Sequence, residues 1–549
     1  MDLLMVAVLG LLAIAGAATL GPKLGVAAPL LLVLVGIGVS LVPAVPPFHV
    51  EPEWVLAGVL PPLLYSASVS MPAMDFRREF TAIAGLSVVL VVASSVLLGL
   101  FFAWAVPGLG LAWGVALGAI VSPTDAVATS IVKRLGVSPR VVAMLEGESL
   151  LNDATALVLL RAAVAGAAVS VSLWGVVGQF AHAVAVAAVI GAVVGRVNLA
   201  VRARVTDATV NTVLSFTVPF LASVPAEELG ASGLVAAVVA GLVTGRRGPR
   251  VLPPQHRLSD AQNWRAVELV LEGAVFLVMG LELKAVVGDV QDDHAGIGSA
   301  VAVAAGALGL TVLIRAAYVA PLLAGLRRRA RRGERMKPRL SQMAERLAAP
   351  DVQEQGFGHG PRRRPPSATG IERARTRVRR ITADIDHFLA RPLGWREGAV
   401  VVWAGMRGAV TLAAAQTLPD DAPSRPLLVL IAFLVAAGSL LLQGSTLPAL
   451  VRALGPARGA AGGEPADALD ERVRLTALLT EAAGAPVGSP DAPGAAEPKR
   501  RTLDVIAAQR QALLDARDDG LFSAEALTAA LAVLDADQIS LELRGGPAG

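Results

Sequence analysis

The sequence predicts an all-α protein that crosses a membrane many times. Hydrophobic residues make up 54% of its 549 residues, and charged residues make up only 17%. A soluble protein usually carries about 25% charged residues. The apolar residues also occur in runs of roughly 20, the length that spans a bilayer as a helix. These features exclude a disordered chain and argue against a soluble enzyme.

Thirteen segments are apolar enough to be predicted as membrane-spanning helices. The third and the eighth are short, and Pro61 and Pro62 interrupt the third. The predicted ranges are 3–20, 24–43, 54–69, 80–106, 111–131, 141–166, 173–195, 208–224, 229–245, 264–283, 297–326, 399–418 and 427–451.

The charges of the connecting loops support this count. Basic residues collect in the odd-numbered loops, as Lys133, Arg134 and Arg140 do in the fifth, whereas the even-numbered loops are nearly free of them. Cytoplasmic loops of membrane proteins carry this excess of basic residues. We therefore expect the N-terminus outside and the C-terminus in the cytoplasm. Because the residues before the first span include Asp2 and no Lys or Arg, we expect that span to be an anchor rather than a cleaved signal peptide.

The polar stretches divide the chain into three predicted parts. Residues 1–452 form a transmembrane domain with a cytoplasmic loop at 327–396, in which residues 372–389 are expected to form a charged helix. Residues 453–498 are predicted to be a flexible linker. Residues 499–549 are predicted to be a small helical tail, with Ser523 as an N-cap. We expect the arginines of the loop to lie beside anionic lipid rather than nucleic acid.

The fifth segment contains the motif SPTD within its apolar run. Pro123 removes one backbone hydrogen bond and clashes with the preceding turn, so a local break in the helix is predicted. Irregular backbone at membrane depth is tolerated only where it lines a cavity or is buried in protein. The freed carbonyls, together with Ser122, Thr124 and Asp125, are suited to coordinating a cation.

The sixth segment contains the motif GESLLND. Glu148 and Asn152 are four residues apart, as are Ser149 and Asp153, so the four side chains share one strip of a helix. Their oxygen atoms suit a hard monovalent cation, whereas the absence of cysteine and the scattering of the 6 histidines argue against a transition metal. A purely structural helix contact is the alternative, but two carboxylates exceed what packing requires.

The twelfth segment places Arg407 in mid-membrane between Gly405 and Gly408. A buried arginine needs a carboxylate partner, and Asp125, Glu148 and Asp153 are the candidates. A structural ion pair is favoured over a transport role for Arg407. Among the weaker polar positions, Glu272 is expected to line a cavity or to pair with an arginine. Arg315 and Arg161 are expected to pair or to reach the membrane surface, and His182 is expected to be a packing residue.

The motifs SPTDAVA, GESLLNDATALVL and WAGMRGAVTLA resemble the NhaP/NHE-type sodium/proton exchangers, which form the first monovalent cation:proton antiporter family. VLPPLLYSASVSM and VFLVMGLEL are similar to the same family, and the sequence after residue 500 resembles the cytoplasmic end of bacterial members. The resemblance implies inverted six-helix repeats in which the fifth and twelfth spans cross and are partly unwound. It also implies a homodimer in the plasma membrane.

The resemblance assigns roles to individual residues. Asp153 is implied to be the exchange site that takes either the cation or a proton. Asn152 matches the Asn–Asp pair of electroneutral one-for-one exchangers. The resemblance also matches three positions to residues that supply cation ligands or hold the crossing of the unwound spans, namely Ser149, Thr124 and Asp125. Of these, Ser149 and Thr124 are expected to coordinate the cation together with Asp153.

Two further positions follow from the resemblance. Glu148 and Arg407 match a structural ion pair. Ser66 stands where some relatives carry an acid, so this chain lacks a potential extra ligand. The implied function is secondary antiport of sodium, with lithium as an alternative substrate, against protons. No nucleotide motif occurs in the sequence, and no cofactor is expected.

Three other functions compete with this interpretation. A potassium/proton antiporter of the same fold is the nearest, because sequence does not separate the two cations. An intramembrane aspartyl protease would use Asp125 and Asp153, but neither lies in a Gly-x-Gly-Asp motif. A channel is the third, and helix breakers in both halves of the chain favour alternating access over a continuous pore.

Overall fold

The protein is helical in the part that the computed structural model describes, which is residues 3–168, 173–292, 296–348, 368–455, 466–484 and 497–543. No strand occurs among these residues, so the all-α prediction is confirmed. The chain divides into two compact units. Unit 1 comprises residues 1–320 and 395–458, and unit 2 comprises residues 321–394 and 459–549.

The first half of unit 1 contains eight α-helices and two π-helical segments. Segment π1 continues directly into α3, and π2 joins α4 to α5. Pro61 and Pro62 follow π1 closely, and their missing N–H groups account for a widened turn there. The bounds are α1 Leu3–Leu24, α2 Ala28–Ser40, π1 Trp54–Val59, α3 Leu60–Ser70, α4 Ala73–Ala84, π2 Gly85–Leu90, α5 Val91–Ala105, α6 Leu111–Val121, α7 Val127–Arg134 and α8 Pro139–Ala168.

The second half of unit 1 also consists of α-helices. Helix α14 is shared between the two units because it continues past residue 320. The bounds are α9 Leu173–Arg202, α10 Ala208–Glu228, α11 Gly233–Val251, α12 Pro254–Leu281, α13 Leu283–Asp292 and α14 Ile297–Ala348. After a segment that belongs to unit 2, unit 1 ends with α16 Trp395–Trp403, α17 Ala409–Gln416 and α18 Arg425–Leu454.

The helices coincide with the predicted membrane segments. Each of the thirteen predicted ranges falls on one helix, on consecutive helical segments without a gap, or on two helices separated by a short break. Among the residues that the structure describes, seven helices are by themselves long and apolar enough to cross a membrane. The count of thirteen spans stays a prediction, because α2 and α6 have only 13 and 11 residues and are shorter than a bilayer is thick.

Apolar packing holds α3, α10, α11 and α12 together in unit 1. The Trp264 ring lies 5.4 Å from the Tyr65 ring and 5.1 Å from the Phe216 ring, measured between centroids. The indole nitrogen of Trp264 donates a hydrogen bond of 2.9 Å to the Ser215 hydroxyl, so this large side chain is both packed and hydrogen-bonded. Leu64 of α3 belongs to the same apolar cluster as Tyr65 and Trp264.

Unit 2 contains the end of α14 and four further helices, which are α15 Ala368–Ala390, α19 Ala466–Gly484, α20 Glu497–Asp519 and α21 Ala524–Leu543. The predicted charged loop helix is confirmed as α15. The predicted N-cap is also confirmed, because the Ser523 hydroxyl accepts a hydrogen bond of 3.3 Å from the Ala526 amide. Asp519 forms ion pairs with Arg379 and Arg380 of α15.

Two expectations for the cytoplasmic segments are corrected. Helix α14 does not end near residue 326 but continues to Ala348. The predicted linker at 453–498 contains helix α19, because Leu475, Leu478 and Leu479 recur at helical spacing and pack against the core of the tail. The remainder of that linker at 456–465 and 485–496 lies outside the described residues, as does the loop sequence EQGFGHGPRRRPP.

Candidate functional site

The SPTD motif interrupts a membrane helix as predicted. Helix α6 ends at Val121 and α7 begins at Val127, with non-helical backbone between them. Pro123 lies in the break and lacks the N–H that would continue α6. The Asp125 carboxylate accepts a hydrogen bond of 2.9 Å from the Val127 amide and so caps the start of α7.

A second break lies in the twelfth predicted span and meets the first. It separates α16 from α17 at residues 404–408. The Asp125 amide donates a hydrogen bond of 2.7 Å to the Met406 carbonyl, which joins the two breaks directly. Gly408 lies so close to Asp125 that a methyl group in place of its hydrogen would overlap the carboxylate. The structure therefore confirms the predicted breaks and brings them into contact.

Helix α8 runs past this crossing and is tied to it by Asn152. The Asn152 amide nitrogen donates to the Thr124 carbonyl at 2.8 Å and to the Thr124 hydroxyl at 2.9 Å. The Thr124 hydroxyl in turn donates to the Glu148 carboxylate at 3.0 Å. Asn152 is 0% exposed and lies behind the wall of the cavity rather than in it. Its side chain therefore braces the first break.

A cavity of about 170 Å³ opens at the crossing. Four of the five predicted cation- and proton-binding residues line it, and Asn152 is the exception. The apolar part of its wall comes from α3, α8, α12, α17 and the first break. The lining residues are Leu60, Leu63, Leu64, Ala67, Pro123, Thr124, Asp125, Ala126, Ser149, Leu150, Asp153, Glu268, Glu272, Val275, Phe276, Gly408, Ala409, Val410 and Thr411.

Asp153 faces this cavity without a protein partner. Its side chain is 8% exposed, and nothing in the described part of the chain donates a hydrogen bond to it or forms a salt bridge with it. Burying an unpaired carboxylate is costly, so the site needs either a proton or a cation to neutralise it. Asp153 is therefore placed to bind one or the other.

The hydroxyl groups beside Asp153 are oriented for a cation. The Ser149 hydroxyl donates its hydrogen to the Glu146 carbonyl at 3.0 Å, and the Thr124 hydroxyl donates to Glu148. Both oxygens consequently present only lone pairs to other groups. Oxygen lone pairs beside a carboxylate are suited to hard cations. The described residues contain no cluster of three His, Cys, Asp or Glu side chains that would hold a metal ion.

Helix α12 supplies two more carboxylates to the cavity. Glu268 and Glu272 are one helical turn apart and both line the cavity. Neither has a salt-bridge partner among the described residues. The expectation that Glu272 lines a cavity is met, whereas Glu268 was not singled out from the sequence because a lone acid near a span end is ordinary.

The implied ion pair between Glu148 and Arg407 is wrong in this structure. Glu148 pairs instead with Arg315 of α14, whose two terminal nitrogens donate to the two carboxylate oxygens, one of them at 2.7 Å. Such a two-pronged pair is the strongest arrangement that these groups form. Arg315 also donates to the Val401 carbonyl at 2.8 Å, so it links α8 to α16.

Arg407 is satisfied by backbone carbonyls rather than by a carboxylate. Its guanidinium donates to the Val121 carbonyl at 2.9 Å, to the Ser122 carbonyl at 3.5 Å and to the Gly405 carbonyl. These carbonyls end α6 and α16, and the C-terminal end of a helix carries partial negative charge. This is the physical reason why Arg407 needs no carboxylate of its own. It neutralises the ends of both broken helices.

Comparison with known proteins shows which protein family the sequence matches. Residues 9–355 and 364–453 match the family described as "Sodium/hydrogen exchanger, transmembrane". An uncharacterized Na(+)/H(+) exchanger of Mycobacterium tuberculosis is 28% identical over 447 residues, which are 79% of this chain and 71% of the relative. A Bacillus subtilis protein named "Sodium, potassium, lithium and rubidium/H(+) antiporter" is 28% identical over 284 residues, or 49% of this chain and 41% of the relative.

The fold has a counterpart among solved structures. The sodium proton antiporter MjNhaP1 of Methanocaldococcus jannaschii superposes with a TM-score of 0.55 at 16% sequence identity. The superposition covers 82% of this chain and 99% of that protein. At this identity the likeness concerns the fold alone, and it confirms the predicted antiporter architecture.

Proposed function

The chain belongs to the sodium/hydrogen exchanger family and exchanges a monovalent cation for protons across a membrane, and we propose that the two ions compete for Asp153. It is a transporter rather than an enzyme, which excludes the protease alternative. The observation that carries the proposal is the unpaired Asp153 carboxylate, which faces a cavity at the crossing of two broken helices. Irregular backbone at membrane depth is the usual place for such a binding site.

The proposed mechanism follows from neutralisation of one carboxylate. An empty, charged Asp153 is costly to bury, and a proton or a cation offsets that cost. One carboxylate does not hold both ions at once, so loading one displaces the other. The protein changes between its outward-open and inward-open states when a proton or a cation neutralises Asp153. It does not change state while the Asp153 carboxylate is charged and without a bound ion. In each transport cycle the site therefore carries a cation in one direction and a proton in the other.

The other site residues are proposed to complete the cation shell. Ser149 and Thr124 supply hydroxyl lone pairs beside Asp153. Asp125 is held by the Val127 amide, and we assign it mainly to the geometry of the crossing. Asn152 acts as a brace, since its amide nitrogen donates to the carbonyl and the hydroxyl of Thr124. With Asp153 as the single exchanging carboxylate on this strip, the stoichiometry is one cation for one proton and the exchange is electroneutral.

Membrane placement forms the second part of the proposal. The chain is a multi-pass membrane protein, and the distribution of Lys and Arg supports a cytoplasmic C-terminus and an outside N-terminus. We place it in the plasma membrane as a homodimer in contact with lipid. A cross-linking experiment in native membranes tests the dimer, and detection of monomer only would contradict it.

Sodium is the proposed cation, with lithium accepted as well. Potassium is a second candidate, because the name of the Bacillus subtilis relative includes potassium among its ions. The cavity ligands are oxygen atoms that both cations accept, so the size of the site decides between them. Counter-transport of protons measured with sodium, lithium and potassium in turn separates the two cases.

Competition itself provides the test of the proposed site. In proteoliposomes, we expect KM for sodium to rise as the pH falls, approaching about tenfold per pH unit where the proton dominates Asp153. We also expect the rate to be independent of an imposed membrane potential. A KM for sodium that does not change between acid and alkaline pH would contradict competition at a single carboxylate. A rate that follows the potential would contradict the one-for-one stoichiometry.

A further inference from the structure

A second and much smaller cavity, of about 10 Å³, lies among π2, α5, α8, α14 and the two breaks. It shares no lining residue with the cavity around Asp153, and we call it the Glu148 cavity. Each polar side chain in its wall is at most 4% exposed, so the surroundings are closed to bulk solvent. These polar residues are Ser94, Ser122, Glu148, Thr311, Arg315 and Arg407.

The Glu148 carboxylate has one hydrogen-bonding position left over. An ionised carboxylate offers about four acceptor positions on its two oxygen atoms. In the described part of the chain, Oε1 accepts from the Thr124 hydroxyl and from Arg315, whereas Oε2 accepts from Arg315 alone. The Oε2 atom therefore has room for one more donor.

Arg407 has hydrogens left over in the same cavity. Its two terminal nitrogens carry four hydrogens. Among the described residues, these nitrogens donate to the Gly405 carbonyl and, at 3.5 Å, to the Ser122 carbonyl. Two of the four hydrogens consequently still need an acceptor, and a buried donor without one is destabilising. The wall of the cavity thus contains both an unmet donor and an unmet acceptor.

The size and the charge of the cavity select its ligand. A buried water molecule needs a cavity of roughly 10–15 Å³ and two to four polar partners. A chloride ion is larger than a water molecule and would meet the carboxylate of Glu148. A bare cation would be repelled by the guanidinium groups of Arg315 and Arg407. A single water molecule is the ligand that satisfies both conditions.

We propose that the Glu148 cavity is a binding site for one water molecule that joins Arg407 to Glu148. The water accepts a hydrogen bond from the Arg407 guanidinium and donates one to the Glu148 Oε2 atom. Its second hydrogen goes to the Thr311 oxygen, which is available because that hydroxyl donates its own hydrogen to the Ala307 carbonyl at 2.6 Å. The water then has three partners, as is typical of buried water.

The bound water connects the helix that carries Asp153 with the second break. Glu148 lies on α8 and Arg407 lies between α16 and α17. A bridging water links two groups nearly as well as a direct hydrogen bond does. The two residues are therefore linked although they form no direct ion pair. This site lies outside the ion-binding cavity, so the inference goes beyond the proposed function.

Oxidation by hydroxyl radicals tests the site in the whole protein. A short X-ray pulse forms radicals from water, so a buried side chain is oxidised where bound water touches it. Leu90 lines the Glu148 cavity and is 5% exposed, whereas Leu145 and Leu160 of α8 are 4% and 5% exposed and line neither cavity. We expect Leu90 to be oxidised about fivefold faster than these two leucines, as measured by mass spectrometry. Equal rates for the three leucines would overturn the proposal.

A pair of neighbouring variants assigns the oxidation to this cavity. Ser94→Val fills the small space with methyl groups and should lower the oxidation of Leu90 to the rate of Leu145. Ser95→Val is the matched control, because Ser95 is also buried and also donates to the carbonyl four residues earlier, each at 2.7 Å, but does not line the cavity. Oxidation of Leu90 that persists at the unaltered rate in folded Ser94→Val would overturn the assignment.

A density map of the unaltered protein decides the case if the variants do not fold. We expect a peak at about 2.7–3.2 Å from both Glu148 and Arg407. A map that shows other buried water molecules but no peak at this position would overturn the proposal. Neither measurement needs transport. A protein that exchanges no cation would contradict the proposed function, and the oxidation rates and the map would still decide the water site.

Discussion

At the scale of single residues, Asp153 differs from the paired carboxylates in what surrounds it. Glu79, Glu148 and Asp260 each meet an arginine within the protein, so their charge is compensated. Asp153 faces a cavity and meets none in the described residues. An uncompensated buried charge must be neutralised by something that comes and goes. That difference, rather than burial alone, marks Asp153 as the exchanging group.

Replacement of Arg315 tests the corrected ion pair. Arg315→Met leaves Glu148 buried without its partner, and breaking a buried pair in this way costs about 3–5 kcal/mol. We expect a large fall in the thermal unfolding temperature in detergent. Arg161→Met, at an exposed position, is the matched control and should leave the unfolding temperature unchanged. The pairing of Glu148 with Arg407 that the resemblance implies would be favoured by either of two results. One is a larger fall in the unfolding temperature for Arg407→Met than for Arg315→Met, and the other is an unchanged unfolding temperature for Arg315→Met.

Replacement of Glu272 tests the acidic wall of α12. Glu272→Gln removes one negative charge from the cavity while keeping the shape of the side chain. We expect KM for sodium to rise roughly tenfold, which corresponds to about 1.4 kcal/mol, because the charge concentrates cations near Asp153. Glu228→Gln, on the exposed end of α10, should leave KM unchanged. An equal KM in both variants would show that α12 takes no part in loading.

The sequence predicts which residues lie near the site but not which partner each of them meets. Spacing on one helix places Glu148, Ser149, Asn152 and Asp153 on one strip, and all four lie near the crossing. Spacing does not tell which other helix faces that strip, so the sequence does not identify Glu148 as the partner of Arg315. Nor does it tell which partner an amide meets, and Asn152 donates to Thr124 instead of lining the cavity.

At the scale of helices, the breaks in α6–α7 and α16–α17 are the feature that positions the site. Pro123 made the first break predictable, because proline cannot continue the hydrogen-bond pattern of a helix. The second break follows from Gly405 and Gly408, and only the structure shows that Met406 bonds Asp125. The two breaks together bring helix ends and free carbonyls to the middle of the bundle.

Replacement of Gly408 tests how closely the two breaks must approach. Gly408→Ala places a methyl group where the Asp125 carboxylate lies, and overpacking of this kind costs about 1–3 kcal/mol. We expect exchange to be lost or strongly reduced. Gly309→Ala is the control, since nothing lies within 4 Å of a methyl group there. Full activity in Gly408→Ala would show that the crossing tolerates separation.

Some helical features were not predictable from local patterns. Residues 327–348 are so basic that they read as a loop, yet they continue α14. Helix α19 lies within a segment rich in Gly, Ala and Pro, and the helical spacing of its leucines is the feature of the sequence that indicates it. Both cases show that a charged or small-residue composition does not by itself exclude a helix when a partner surface is available.

At the scale of the whole molecule, the arrangement of charge along the chain predicts its orientation. The chain contains no cysteine, so single cysteines can be introduced as unambiguous reporters. Glu51→Cys lies in a loop and Arg329→Cys lies in the part of α14 beyond its predicted membrane span; both positions are exposed, and they are predicted to face opposite sides of the membrane. In intact cells, a membrane-impermeant maleimide should label the first and not the second. Labelling in the reverse order would invert the proposed orientation.

One measurement tests the central claim most directly, namely that exchange takes place at Asp153. The purified protein and its Asp153→Asn variant are placed in proteoliposomes with an acid interior, and a pH-sensitive dye reports proton efflux when sodium, lithium or potassium is added outside. We predict rapid efflux with sodium in the unaltered protein and none with any cation in Asp153→Asn, at an unchanged thermal unfolding temperature. Efflux from folded Asp153→Asn at the rate of the unaltered protein would contradict the account.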